Sequence, residues 1–210
     1  MNEKQSEQSR LNLFKQVGTI STATLHEAMG KTGALPSDIK PLNRNLKLIG
    51  TAITVQTMPA DNLLLHRALA LASSGDVIVV NVSNHYEAGY WGEIMTVAAL
   101  ERGIAGLVID GCVRDADAIE MLAFPVFCRG LCIKGTTKFG NGTLNQPIII
   151  GHTMVRAGDT VVGDRDGVVV IPTERLPETI DTARKREKKE AETMAALRSG
   201  KSTLEIYGWD

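Results

Sequence analysis

Residues 103–118 read GIAGLVIDGCVRDADA, and the reading of this stretch decides the fold. Its first half, with Ile104, Leu107, Val108 and Ile109, is an almost unbroken apolar run. That is the pattern of a strand covered on both faces. Its second half places Asp110, Arg114 and Asp115 directly after the strand, just ahead of the helical spacing of Ile119, Met121 and Leu122. The C-terminal end of a parallel strand, at the entry to a helix, is where open α/β sheets hold ligands. Arg114 and Asp115 are therefore the first candidates for chemistry. A structural reading stands beside this one, with Asp115 as a helix N-cap and Arg114 as its surface neighbour.

Working outward toward the N-terminus, the loop 84–93, NHYEAGYWGE, leads into a helix carrying Ile94, Val97, Ala98 and Leu100 and ending at Arg102-Gly103. Before it lies a strand, Val77 to Ser83, and before that an apolar helix, LLLHRALALASS, which Asp61-Asn62 can cap and Gly75-Asp76 closes. Leu46 to Thr57 alternates and is rich in β-branched residues, so it too reads as a strand. A β-α-β-α alternation over 46–129 implies a largely parallel sheet with right-handed crossovers. Further upstream, residues 31–45 hold two prolines and read as loop, Ser21-Thr22 opens a helix stopped by Gly30, and Leu11 to Val17 suggests a short helix after a polar tail.

Toward the C-terminus the pattern changes. PVFCRGLCIKG reads as one strand, with Cys128 and Cys132 able to share a face, and it is followed by TLNQPIIIG and GDTVVGDRDGVVVIP. These are short strands joined by turns, and Asp164 to Gly167 reads as a hairpin. A helix-crossed layer is thus expected to join a β-rich layer. The last element is a helix from about Pro177 to Arg198. Its inward stripe runs Ile180, Ala183, Glu187, Glu190, Met194 and Leu197, so two carboxylates occupy positions that the pattern reserves for apolar groups. Either the helix projects toward a polar site on another subunit, or it is a solvated, salt-laced helix whose stripe lapses.

Composition narrows the function. The 210 residues carry a net charge of −1 and 4% aromatic residues, which gives no general attraction to nucleic acid or anionic lipid. The odd set Cys112, Cys128 and Cys132 argues for reduced thiols rather than a disulfide or zinc framework. A polar N-terminus and the absence of a membrane-length apolar run imply a soluble cytoplasmic protein. The four histidines show no ligand spacing; His85 and Tyr86, in the loop before Glu93, are the ones placed to meet a substrate. Gly89 and Gly92 allow a ligand to approach the backbone, and the free N–H groups of Ile94 and Met95 at a helix start suit a carboxylate. Arg114 adds a planar donor fork for the same anion, and Asp115 a hard oxygen ligand for a divalent ion. Glu93 on a helix N-terminus is also explained by the helix dipole alone.

At these residues the chain resembles the RraA-like family: Glu93, twenty intervening residues, then Arg114-Asp115, within GIAGLVIDGCVRDADAI and followed by GDTVVGDRDGVVVIP. The family contains divalent-metal aldolases acting on 4-hydroxy-4-methyl-2-oxoglutarate or 4-carboxy-4-hydroxy-2-oxoadipate, and regulators of ribonuclease E. The resemblance implies a swivelling α/β/β/α sandwich over 21–172, preceded by a tail and short helix (1–20) and followed by an extended C-terminal helix and tail (173–210) packing on a neighbouring subunit of a homotrimer or hexamer. It implies Arg114 on the pyruvate carboxylate and oxo group, Asp115 as a direct ligand of Mg2+ or Mn2+, and Glu93 holding metal-bound water, although aspartate is usual there. Gly92, Ile94 and Met95 match the carboxylate-binding helix start. Glu190, with Glu187 next, matches an acid supplied through water by the adjacent subunit. The implied reaction is retro-aldol cleavage of a 4-hydroxy-2-oxo acid to pyruvate, with oxaloacetate decarboxylation beside it. A Schiff-base aldolase using Lys134 is the rival mechanism, and a non-catalytic ribonuclease regulator the rival function. The residues after Pro172 favour the aldolase, because regulators of the family tend to end soon after the final strand.

Overall fold

The computed structural model describes residues 3–209. Its helices are α1 (Glu3–Val17), α2 (Thr22–Ala28), α3 (Leu63–Leu71), α4 (Glu93–Glu101), α5 (Ala116–Met121), α6 (Leu176–Arg198) and α7 (Thr203–Tyr207). The longer strands are β2 (Leu48–Thr57), β3 (Asp76–Asn81), β4 (Gly106–Asp110), β11 (Thr160–Gly163) and β12 (Val168–Ile171). The shorter ones are β1 (Lys40–Pro41), β5 (Cys112–Val113), β6 (Val126–Cys128), β7 (Gly130–Leu131), β8 (Gly142–Leu144), β9 (Ile148–Ile150) and β10 (Thr153–Val155). Among the described residues no helix is long and apolar enough to cross a membrane.

One sheet runs β1-β6-β4-β3-β2-β11-β12, with β2, β3, β4 and β6 parallel, as the alternation of elements requires. Side chains alternate across it. Ile53, Val55, Ile78, Val80, Leu107 and Ile109 face α3, α4 and α5, whereas Ala52, Val77, Val79, Val108 and Phe127 face the opposite way. That second face is closed by the sheet itself. β11 and β12 continue the sheet antiparallel from β2 and curl back, so that Val161, Val168 and Val170 share a core with Phe127. Gly163 of β11 lies so near the Phe127 ring that a Cβ there would meet it at 2.7 Å. These two strands stand at separate places in the sheet order, so their contact measures the curl. The outer face of the ribbon, Val162, Val169 and Ile171, packs on α2 and α6 through Leu25, Leu176, Ile180 and Ala183. The result is the expected α/β/β/α sandwich.

The β-rich layer is continuous with the parallel one: β11 and β12 are the curled end of the same sheet, because the edge of β2 that β3 leaves free pairs with β11 at its start and β8 at its end. Two expectations need correction. PVFCRGLCIKG is not one strand, since Arg129 breaks it into β6 and β7, and Cys128 is buried while Cys132 is half-buried. The polar start is helical from Glu3, as befits its Glu, Gln, Lys and Arg content; Met1, Asn2 and Asp210 lie outside the described residues. The hairpin at Asp164–Gly167 forms as read, with backbone hydrogen bonds of 3.0 and 3.2 Å, and Ser21 caps α2 through Thr24 N at 3.1 Å.

Beyond Ala183 no residue of α6 is buried, so the helix runs on for about 20 Å at 1.5 Å per residue without a core of its own. Phe127→Ala empties the point where the curled sheet meets itself, and should lower stability by about 3–5 kcal/mol, read as a shift of the urea midpoint.

Candidate functional site

Three backbone segments are laced together beyond the C-terminal ends of β3, β4 and β6. Gly89 N donates to Lys134 O at 2.9 Å, Tyr90 N to Cys112 O at 3.0 Å, Arg114 N to Trp91 O at 2.9 Å and Cys132 N to Val113 O at 2.9 Å. Cys112–Arg114 thus lies between the glycine loop and the 130–134 segment. The glycine loop is anchored by Trp91, fully buried and stacked on Phe124, whose indole N–H donates to Thr96 Oγ1 at 2.8 Å while that hydroxyl donates to Gly92 O at 3.1 Å. This fixes the first turn of α4.

At the end of the middle segment Asp115 adopts a left-handed backbone, φ 59° and ψ 40°. It occupies the N-cap position of α5, yet its side chain caps nothing there. Instead its Oδ2 accepts the backbone N–H of Glu93 at 3.1 Å, at the start of α4. The N-cap reading is right in position and wrong in partner. Arg114 Nε stands 3.8 Å from the same Oδ2, with both side chains a little under half exposed. Glycine is needed opposite: a Cβ on Gly92 would sit 2.3 Å from Asp115 Oδ2, and one on Gly89 2.3 Å from Cys132 O. The N–H groups of Ile94 and Met95, in the first turn of α4, have no helical acceptor of their own.

Gly92, Ile94, Met95, Arg114 and Asp115 all line one cavity of about 220 Å³. Glu93 lies at its rim, exposed, on the same first turn. Arg114 and Asp115 also line a second, wider cavity of about 580 Å³ with Ala116, Ala118, Leu131 and Ile133, so the pair forms a wall between the two.

Sequence reasoning missed the far side of the smaller cavity, formed by Asn62, His66, Thr136 and Lys138. Asn62 was legible only as a cap for α3. In fact its Nδ2 donates to Tyr90 O at 2.7 Å, while its Oδ1 is a buried oxygen with no hydrogen-bond partner. Such an atom is rare and usually has a reason. The cap is Asp61, whose oxygens accept from Leu63 N at 3.1 Å, Gly140 N at 3.1 Å, Thr137 Oγ1 at 3.1 Å and Phe139 N. It thereby ties the 136–140 loop, with Lys138, to the start of α3. Burial by itself would raise the Asp61 pKa, but the N–H groups of Phe139, Leu63 and Gly140 and the Thr137 hydroxyl pull it below the ordinary value. His66 is held below its usual pKa by burial first and by the Lys138 charge second, and is neutral at pH 7.

Other candidates lie elsewhere. His85 and Tyr86 do not line either cavity; Tyr86 carries the Arg129 guanidinium 4.5 Å over its ring, and His85 O accepts the Tyr90 hydroxyl at 3.0 Å. Asp110 is buried and paired with Arg129, a structural role. Lys134 binds Glu87 at 2.6 Å, and this hydrogen bond and charge raise its pKa, the reverse of what a Schiff-base lysine needs. The cysteines are free, and burial pushes the Cys128 thiol up to about 11. Glu187 and Glu190 are not brought to Arg114 within the chain: Glu187 pairs with Arg184 at 2.7 Å and Glu190 with Arg186 at 2.8 Å.

The donor set suits a hard divalent ion bound mainly through water. Asp115 offers one exposed carboxylate whose Oδ1 is unengaged, with Glu93 beside it, and Mg2+ commonly uses one or two carboxylates. Among the described residues no three His, Cys, Asp or Glu side chains converge on one point, so one chain supplies no closed cage.

The RraA-like profile, described as Aldolase/RraA, matches residues 22–170. A Halalkalibacterium halodurans protein named "Putative 4-hydroxy-4-methyl-2-oxoglutarate aldolase" is 36% identical over 200 residues, 95% of each chain. A crystal structure of an uncharacterized protein from Pseudomonas syringae pv. tomato superposes with a TM-score of 0.83 at 33% identity, over 93% of this chain and 92% of that one. RraAS2 of Streptomyces coelicolor, described as an unusual member of the RNase ES inhibitor RraA protein family, matches with a TM-score of 0.77 at 28% identity, over 87% and 96% of the two chains.

Asp61 also generates a test of how the cavity is held. Since its folded pKa is below the unfolded value of about 3.8, its stabilisation is fully present above that value and fades as pH falls through the folded one. Asp61→Ala should cost about 2–3 kcal/mol at pH 7, and the gap between variant and wild-type urea midpoints should narrow as the pH is lowered below 3.8.

Proposed function

The chain belongs to the RraA-like family, and we propose that it is a lyase cleaving 4-hydroxy-4-methyl-2-oxoglutarate, or 4-carboxy-4-hydroxy-2-oxoadipate, to pyruvate and a second 2-oxo acid, with Mg2+ or Mn2+ as cofactor. Oxaloacetate decarboxylation is the side activity expected of the same site. The observation that carries the reading is the convergence of Arg114, Asp115 and the open first turn of α4 on one cavity of about 220 Å³. A 2-oxo acid needs those features together: donors for its carboxylate, and a carboxylate ligand for a cation beside its oxo oxygen.

In this reading the N–H groups of Ile94 and Met95 and the Arg114 guanidinium bind the substrate carboxylate, and Arg114 also reaches the oxo oxygen. Asp115 would hold the divalent ion through Oδ1, its Oδ2 being occupied by Glu93 N–H, and Glu93 would orient water. When bound, Mg2+ or Mn2+ would supply Lewis-acid polarisation of the 2-oxo group. The C4 hydroxyl passes its proton to the water beside Glu93, the C3–C4 electron pair passes to C3 as the C4–O bond becomes a carbonyl, and C3 then takes a proton from that water to become the pyruvate methyl group. Lys138, on the far side of the same cavity, faces the distal carboxylate.

We take the working unit to be a homotrimer or hexamer. Leu131 and Ile133, 58% and 92% exposed, line the wider cavity, and Ile94, 82% exposed, lines the smaller one; a second copy would cover these apolar side chains. A neighbouring α6 reaching over the site would bring Glu190, with Glu187 next, to the water shell of the ion.

Pyruvate release from 4-hydroxy-4-methyl-2-oxoglutarate should require Mg2+ or Mn2+ and stop with EDTA. Arg114→Ala and Asp115→Asn should each lose about 10²–10³-fold in kcat/KM, and Gly92→Ala should lose activity with its fold intact, because its Cβ displaces Asp115. Absence of release above the metal-only background, from this substrate, its 4-carboxy analogue and oxaloacetate, would refute the lyase and favour a non-catalytic regulator of ribonuclease E, a role suggested by the likeness to RraAS2.

A further inference from the structure

On the other side of the curled ribbon, α2, the 31–34 loop, the β9–β10 hairpin and the chain after β12 enclose a cleft of about 450 Å³ that shares no residue with the Arg114 cavities. Its lining includes His26, Lys31, His152 and Arg175 and contains no aspartate or glutamate. Nor is any of the four engaged in an ion pair among the described residues. Glu27, next to His26, is turned to Arg186 at 3.6 Å on α6. The two charged groups, Lys31 and Arg175, gathered without a counter-charge repel one another, and an anion entering between them relieves that repulsion.

Three lining carbonyls that would repel an anion are already occupied: Thr32 O accepts from His26 Nδ1 at 2.9 Å, Met29 O from the Thr32 hydroxyl at 3.0 Å and Ala34 O from the Thr153 hydroxyl at 2.6 Å. The floor is buried and apolar, formed by Met29 and Val170. The loop above it is pressed down by Gly33, at φ +79°, where a Cβ would meet Val170 O at 2.4 Å. Guanidinium and ammonium groups over a dry floor match phosphate or carboxylate oxygens on a compact body.

We infer that this cleft is a second ligand site, separate from the Arg114 cavity, for a small polyvalent anion bearing phosphate or carboxylate groups. Calorimetric titration of the full chain in about 0.15 M salt with inorganic pyrophosphate, citrate and orthophosphate tests it, and the ranking of the three tells phosphate from carboxylate recognition. At least one should bind saturably, once per chain. Lys31→Asn with Arg175→Gln should weaken that binding about tenfold or more; asparagine suits the left-handed backbone at Lys31, φ 63°. Arg114→Ala should leave it within about twofold. Should the double variant misfold, Lys31→Glu on the exposed loop decides alone, with binding abolished. No saturable binding by any probe, binding indifferent to these substitutions, or binding lost in Arg114→Ala instead would each overturn the second site.

Discussion

The hydrogen bond from Glu93 N–H to Asp115 Oδ2, at 3.1 Å, is the constraint on which the candidate site depends. It requires Asp115 to hold a left-handed backbone, which costs a non-glycine residue about 1–2 kcal/mol. The offset is a charge-assisted bond at the positive end of α4. Everything nearby follows from that exchange. Gly92 must lack a Cβ because the carboxylate occupies its space, Arg114 is carried to the cavity by the same turn, and the remaining Asp115 oxygen is left facing outward. The lacing of Tyr90, Cys112, Val113 and Cys132 backbones keeps the turn at the height where α4 begins.

A second constraint acts on the scale of the sheet. β2 pairs with β3 along one edge and with β11 and then β8 along the other, so the sheet cannot end there, and its antiparallel extension curls until Gly163 meets Phe127. The curl divides the surface into two regions. On one side stand the strand ends and the Arg114 cavity; on the other, the ribbon's outer face receives α2 and α6 and leaves the basic cleft at its margin. The α6 helix, buried only as far as Ala183, is free to carry Glu187 and Glu190 away from the core that holds its start.

Much of this was legible in the sequence. The run Ile104 to Ile109 reads as a doubly covered strand with Arg114 and Asp115 just past its end, and the structure has them there, after β4. Gly89 and Gly92 read as room for a ligand at the backbone, whereas the space their missing Cβ atoms leave is filled by Cys132 O and Asp115 Oδ2. What stayed hidden was long-range. The loop that brings Lys138 to the cavity is tied by Asp61, 78 residues before Phe139, and local pattern cannot reveal such a tie. For the same reason Asn62 read as a cap, His85 was favoured over His66, and two histidines with no ligand spacing, His26 and His152, turned out to line one cleft. The curl was invisible because β11 and β12 read as any hairpin, and only their partner strand decides which layer they complete.

The central claim is that Arg114, Asp115 and the first turn of α4 act together on the three-carbon end of a 2-oxo acid. Proton NMR of pyruvate in D2O tests it without requiring the full substrate, since loss of the methyl signal reports removal of a C3 proton in the site. The account predicts metal-dependent exchange in the wild-type protein, abolished in Asp115→Asn and strongly reduced in Arg114→Ala. Exchange no faster than that of the metal alone, or equal in wild type and both variants, would contradict it.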